Sequence, residues 1–332
     1  MPNPAAPRLA PSRRTVLGTA GLLGLGTLLA ACGSPGVPEA SGGSLKVVTS
    51  TGVWADIARR VAGGRADVVA LIPEAQDPHS YEPSAKDRLT VSRADLILAN
   101  GGGYDAFLTT LAKAGGKEGA VLDATAASGL PGAKEAAEHA EGHDHAEGEP
   151  HSHEDGSFNE HIWYSVSAVT SVARALAARL GEADPEHRED YEGRLRELEA
   201  DLGKIEERIA ALRPTAKGAR VMVTEPAPQY LMQDLGCVDA TDPKLVAAVE
   251  SETDIPATVL ASAKTALGAK RVQLLAFNSH TASPQTQQLA DAARSAGVPV
   301  VSVAETMPGD TTYTAWMTGI LESIAAGLRR GR

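Results

Sequence analysis

Five of the chain's nine histidines fall in one short acidic stretch, Ala136 to Asp155, which reads AAEHAEGHDHAEGEPHSHED. His139, His143, His145, His151 and His153 alternate there with Glu138, Glu141, Asp144, Glu147, Glu149, Glu154 and Asp155. Neutral imidazole is the commonest protein ligand for first-row transition metals. A flexible run of imidazoles and carboxylates is therefore a low-specificity collector of such ions. The stretch has no apolar residue larger than alanine, so it is expected to be a disordered loop, placed at 133–157. The plainer alternative is a solvated acidic loop with incidental histidines.

Metal-capable residues also recur at the ends of candidate strands. His79 lies in Asp77-Pro78-His79-Ser80-Tyr81-Glu82-Pro83, where two prolines stiffen the loop and lower the entropic cost of holding an imidazole. His161 lies in Asn159-Glu160-His161-Ile162-Trp163-Tyr164, where the histidine-rich stretch meets a helix. Glu225 follows the strand Arg220–Val223, and Glu305 follows Val298–Val303. His280, in Asn278-Ser279-His280, is a rival ligand after another strand. Each has a duller reading. His79 could brace its loop, and His161 could start a helix against Trp163. Glu225 and Glu305 could be surface acids. His187 reads as a surface residue.

The elements that would position these groups alternate strand and helix. Strands are expected at Leu45–Thr49, Asp67–Ile72, Asp95–Ala99 and Ala120–Leu122, with helices at Val53–Val61, Ser84–Arg93 and Tyr104–Ala114. Ser84 reads as an N-cap with Asp87 at the third helical position. A helix runs from Ile162 to Leu180. A longer one opens at Asp184-Pro185, carries an apolar stripe from Leu195 to Leu212, and stops before Pro214. A second α/β set follows: strands Arg220–Val223, Arg271–Phe277 and Val298–Val303, and helices Ile255–Leu267, Pro284–Ala296 and Tyr313–Leu328. Near-continuous apolar strands with intervening helices imply an α/β fold of two small lobes with largely parallel sheets. In such sheets ligands bind beyond the carboxyl ends of the strands.

The amino terminus reads as an export signal. Arg13 and Arg14 precede an uncharged apolar run from Val16 to Ala31, short for a membrane span. The paired arginines resemble a twin-arginine signal, with the Sec route as the alternative. Leu29-Ala30-Ala31-Cys32-Gly33 resembles the lipobox of bacterial lipoproteins, in which Cys32 would carry the lipid. The expected organisation is a signal peptide at 1–31, a lipid-anchored tether at 32–44, an N-terminal lobe at 45–182, a connecting helix at 183–213 and a C-terminal lobe at 214–332. Removing the signal removes three arginines and no acid, which takes the net charge from −11 to −14. That balance argues against nucleic acid as a partner and suits the handling of cations. Only Cys237 remains beside Cys32, so the fold relies on its core rather than on a disulfide.

The proline-framed His79 motif, Glu160-His161-Ile162-Trp163 and the histidine-rich insertion between them resemble the metal-binding lipoproteins of bacterial zinc/manganese ABC importers (the cluster A-I, or cluster 9, solute-binding proteins). The resemblance covers essentially all of residues 45–330. It implies two lobes bridged by one rigid helix, with the metal between them and the first two ligand histidines at His79 and His161. Glutamate at Glu225 resembles the manganese-type members, and Glu305 is the nearest match to the last ligand. The implied cargo is zinc, with manganese as the alternative, and the implied partner is a membrane ABC permease, the protein itself being a monomer. It makes no covalent change to its cargo. A metal buffer or chaperone is a second class. A zinc-dependent hydrolase is a third, although no His-Glu-x-x-His motif occurs. If Cys32 is the lipid attachment point, Cys32→Ala should move the protein out of the membrane fraction; unchanged sedimentation with membranes would refute the anchor.

Overall fold

The computed structural model describes residues 44–74, 76, 78, 80–142, 158–278 and 282–331. The signal peptide, Cys32, His79, His143, His145, His151, His153 and His280 lie outside the described residues. From Ser44 onward the chain forms one compact unit. It holds two four-stranded sheets built alike.

In the first sheet the strands are β1 (Leu45–Thr49), β2 (Ala66–Ala70), β3 (Leu96–Ala99) and β4 (Val121–Asp123), all parallel, in the order β2-β1-β3-β4. In the second they are β5 (Arg220–Val223), β6 (Val238–Asp239), β7 (Leu274–Asn278) and β8 (Val300–Val303), also parallel, in the order β6-β5-β7-β8. The N-terminal lobe adds helices α1 (Gly52–Ala62), α2 (Ala85–Ser92), α3 (Ala106–Ala114), α4 (Ala124–Ala127), α5 (Ala133–Gly142) and α6 (Val166–Ala183). The long helix α7 is Arg188–Ala216. The C-terminal lobe adds α8 (Gln229–Asp234), α9 (Pro243–Glu250), α10 (Ala257–Gly268), α11 (Pro284–Ala296) and α12 (Tyr313–Arg330).

Side chains alternate across a strand, and this alternation divides the core into three. Val47, Leu96 and Leu98 from the first sheet share one apolar cluster with Val221, Val223, Leu274 and Ala276 from the second. Their neighbours on the same strands point the other way. Val48, Ile97 and Ala99 pack beneath α3 residues Leu108 and Leu111. Met222, Leu275 and Phe277 pack with α10 and α11 residues such as Leu267 and Leu289. The two lobes thus have separate outer cores and one common inner core. Helix α7 runs through the common core with Tyr191, Leu198, Leu202, Ile205 and Ile209 buried, and packs against α1, α6 and α12. At 1.5 Å per residue it is about 43 Å long.

Three expectations are corrected. The stretch placed in a disordered loop at 133–157 begins as helix α5, because Ala133 and Ala137, one turn apart, bury an alanine face. Alanine is the best helix former and needs no larger side chain to pack closely. The connecting helix, placed at 183–213, begins with a 3-10 turn at Pro185–His187 and continues through Pro214 to Ala216. Pro214 forfeits only the hydrogen bond to Ala210, whose exposed position lets water take its place. The helix expected from Ile162 is instead a 3-10 turn, Ile162–Tyr164, followed by Ser165 in extended conformation and then α6, with Ser165 accepting from Ala168 N at 3.4 Å. Short elements α4, α8, α9 and β6 were not anticipated. Ser84 and Asp87 do form a reciprocal capping box at α2.

Beyond β3 the chain turns through Gly101, Gly102 and Gly103, all at positive φ, which the lack of a Cβ permits. The buried Asp105 carboxylate holds this turn, accepting from Asn100 N at 2.6 Å and Gly101 N at 2.9 Å. Asp105→Ala would leave both amides unpaired in the interior. It should lower unfolding free energy by roughly 1–3 kcal/mol, read as a shift in the urea midpoint with an unchanged slope; an unshifted midpoint would show the turn to be self-supporting.

Candidate metal centre

His161 and Glu305 meet, and Glu225 shares their cavity, beyond the carboxyl ends of β5 and β8. His161 precedes the 3-10 turn, Glu225 lies two residues beyond β5, and Glu305 two beyond β8. Their exposures are 2%, 6% and 4%, so neither glutamate is a surface acid. His161 Nε2 lies 3.3 Å from Glu305 Oε1. Two donors bound at about 2.0–2.1 Å to one tetrahedral zinc ion are themselves about 3.3 Å apart, so this pair has the spacing of co-ligands. All three residues border a cavity of about 480 Å³ that Glu250, Glu252 and Asp254 also line. Among the described residues, no group of three or more histidines, cysteines or acids closes around a single point.

Each side chain is held by identifiable contacts. Asn159 Oδ1 accepts from the His161 backbone N at 3.0 Å and lies 2.9 Å from His161 Nδ1. Asn159 Nδ2 donates to Pro226 O at 3.0 Å and to Gln229 Oε1 at 3.3 Å. Asn278 Nδ2 donates to Glu225 Oε2, while Asn278 N donates to Thr224 Oγ1 at 3.0 Å. Tyr164 OH donates to Ala304 O, beside Glu305, at 2.7 Å. The rings of Tyr104 and Trp163 meet His161 edge-on at 5.9 and 5.2 Å, so the stacking on Trp163 exists alongside the polar contacts. Burial, and after it the charge and hydrogen bond of Glu305, push the Tyr104 hydroxyl well above the usual phenol range. Burial likewise raises Tyr164, and pushes Tyr230 up to about 12. These phenols remain donors at any working pH.

Described residues on either side of His79 are held by specific contacts. Thr306 Oγ1 donates to Glu74 O at 2.7 Å, across the cleft. Downstream, Tyr81 OH donates to Asp87 at 2.9 Å and the Tyr81 ring rests on Phe107. His139 sits in the last turn of α5, and His187 is half-buried against Asp184 at 2.8 Å, at the start of the connecting helix rather than in the cleft. Asn159 and Tyr164 flank His161 in its motif, and Asn278 sits beside His280. Their types gave no sign of these contacts, because their partners are 53 to 140 residues away.

Two lobes with matching parallel sheets, one continuous helix between them and ligand-type residues in the intervening cleft define a bilobed solute-binding protein. The profile of one family, described as the zinc-uptake complex component A, periplasmic (ZnuA), matches residues 47–327, and the chain belongs to that family. Members are binding proteins of importers and not enzymes. Among curated relatives, the manganese ABC transporter substrate-binding lipoprotein PsaA of Streptococcus mitis is 33% identical over 195 residues, 57% of this chain and 59% of the relative. The iron ABC transporter substrate-binding lipoprotein MtsA of Streptococcus pyogenes serotype M1 is 31% identical over 188 residues, 54% of each chain. The match thus spans little more than half the length of these relatives. Among solved structures, the solute-binding protein FpvC of Pseudomonas aeruginosa in complex with Mn2+ shares the fold at a TM-score of 0.68 and 21% identity, over 86% of this chain and 99% of that one.

Because Tyr164 anchors the residue before Glu305, Tyr164→Phe should cost about 0.5–1.5 kcal/mol of stability in thermal or urea unfolding. A loss confined to background would mean that Ala304 O finds water instead.

Proposed function

We propose that this chain captures a divalent transition-metal ion outside the cytoplasm and delivers it to an ABC permease, held near the membrane by a lipid on Cys32. The observation that carries this reading is the buried His161–Glu305 pair at co-ligand spacing in the cleft between the lobes of a ZnuA-family fold. The ligand set is His79, His161, Glu225 and Glu305, with His280 as the alternative to Glu305. The histidine-rich stretch from His139 to His153 would raise the local ion concentration without forming the tight site.

Zinc is the favoured cargo and manganese the next. Two carboxylates make a harder site than three histidines and one carboxylate would, and harder sites suit manganese. Against this, zinc binds nitrogen and oxygen sites more tightly than manganese in the Irving–Williams order, and accepts carboxylate oxygens at about 2.0–2.2 Å. The family description names zinc, whereas the curated relatives named above are described for manganese and iron.

The deciding experiment is competitive zinc and manganese titration of the protein with Glu138–His153 deleted. One tight site should survive the deletion. His79→Ala, His161→Ala and Glu225→Ala should each weaken it by at least the roughly 10–100-fold seen when a ligand's supporting partner is lost, and His280→Ala should do less. Loss of the tight site on deletion alone would overturn the proposed division between loop and cleft. A severe His280→Ala with a silent Glu305→Ala would move the fourth ligand to His280.

A further inference from the structure

The Asn159 side chain touches both the His161 segment and the strand end bearing Glu225. Its orientation is fixed by two backbone partners with no choice of role. The His161 N–H can only donate, so Oδ1 must face it, at 3.0 Å. The Pro226 carbonyl can only accept, so Nδ2 must face that, at 3.0 Å. Gln229 Oε1, at 3.3 Å, takes the other amide hydrogen. With Oδ1 so placed, His161 Nδ1 faces an atom that cannot donate, 2.9 Å away. The neutral ring must then carry its proton on Nδ1 and its lone pair on Nε2. Nε2 is the atom 3.3 Å from Glu305 Oε1.

We propose that Asn159 is the positioning residue of this site. It holds His161 in the Nδ1-protonated tautomer that presents Nε2 to the cargo, and it ties His161 to the strand end of Glu225, so that ligands from two lobes keep one geometry. This rests on the reading of His161 as a ligand. Outer partners of this kind orient metal-binding histidines and raise their basicity, and removing one typically costs about 10–100-fold in affinity. Asn159 also differs from a carboxylate partner in having a donor end, and that end is used here for the Pro226 carbonyl.

The test uses the full chain, at pH 8. The metal-free protein is labelled with 15N-histidine, and the His161 signals are identified by their loss in His161→Ala. Zinc is then titrated against a chelator strong enough to strip the histidine-rich stretch. The wild type should show the Nδ1-protonated signature. Asn159→Ala should lose that single tautomer and weaken tight zinc binding about 10–100-fold. Asn159→Asp keeps the acceptor but loses the donor to Pro226 O, so it should restore the signature and only part of the affinity. An Nε2-protonated signature in the wild type would overturn the proposal even if Asn159→Ala failed to fold. So would an Asn159→Ala affinity within twofold of wild type, or an Asn159→Asp that loses the single tautomer. If His161→Ala itself leaves zinc binding unchanged, the ligand assignment falls instead, and the tautomer signature still reports on the geometry.

Discussion

The segment from Asn159 to Trp163 runs through the buried seam between two sheets, and it belongs to neither. A backbone in that position has no ladder to satisfy its carbonyls, and each one left unpaired would cost about 1–3 kcal/mol. All five are paired. Asn159 O accepts from Tyr230 OH at 2.7 Å, and Glu160 O accepts from Asn100 Nδ2 at 3.0 Å. His161 O and Ile162 O are taken up by the tight turn, through Tyr164 N and Ser165 N. Trp163 O accepts from Tyr313 OH at 2.7 Å. Asn100 belongs to the first lobe and both tyrosines to the second. The same Asn100 accepts from Trp54 Nε1 at 3.0 Å, which anchors the arrangement in α1. The position of His161 follows from this pairing requirement rather than from any regular element.

The common apolar core acts in the same direction. Residues of both sheets, α1, α6, α7 and α12 bury one another, and Tyr313 N donates to Asp56 of α1 at 2.9 Å. Swinging the lobes apart as rigid bodies would break these hydrogen bonds and expose inner-core surface at about 25 cal/mol per Å². The described side chains of His161, Glu225 and Glu305 sit on such a seam, so it holds them in place whether or not a ligand is bound. Less of the binding energy is then lost to fixing side chains, which is the general advantage of pre-organisation.

Much of this was legible from the sequence. Alternating apolar strands and helices identified two parallel sheets, the long apolar stripe identified the connecting helix, and strand-end positions selected Glu225 and Glu305, which are indeed buried at the cleft. What escaped has physical causes. Helix α5 hides its buried face in alanines, which a search for large apolar residues passes over. Strand β6 is two residues long, too short for any period to register. Pro214 marks a helix end in most contexts, but near a C-terminus with an exposed carbonyl partner it costs little. Asn159 could be read from neighbouring residues only as part of a motif. Its function lies in contacts to Pro226 and Gln229, 67 and 70 residues away, and only the folded chain brings them together.

Charge alone does not choose among metals for the proposed ligand set. Two ionised glutamates balance one divalent cation, and the partner of His161 is a neutral amide, so the proposed set is electrically matched to zinc, manganese or iron alike. Charge matching therefore selects divalent ions as a class and cannot rank them. Ranking falls to intrinsic ligand preference, which favours zinc, and to coordination number, which favours manganese if the carboxylates bind through both oxygens. Glu225 Oε2 is already engaged by Asn278 Nδ2. A carboxylate held by one oxygen offers the other more readily than both, so in the proposed set Glu225 would bind through a single oxygen.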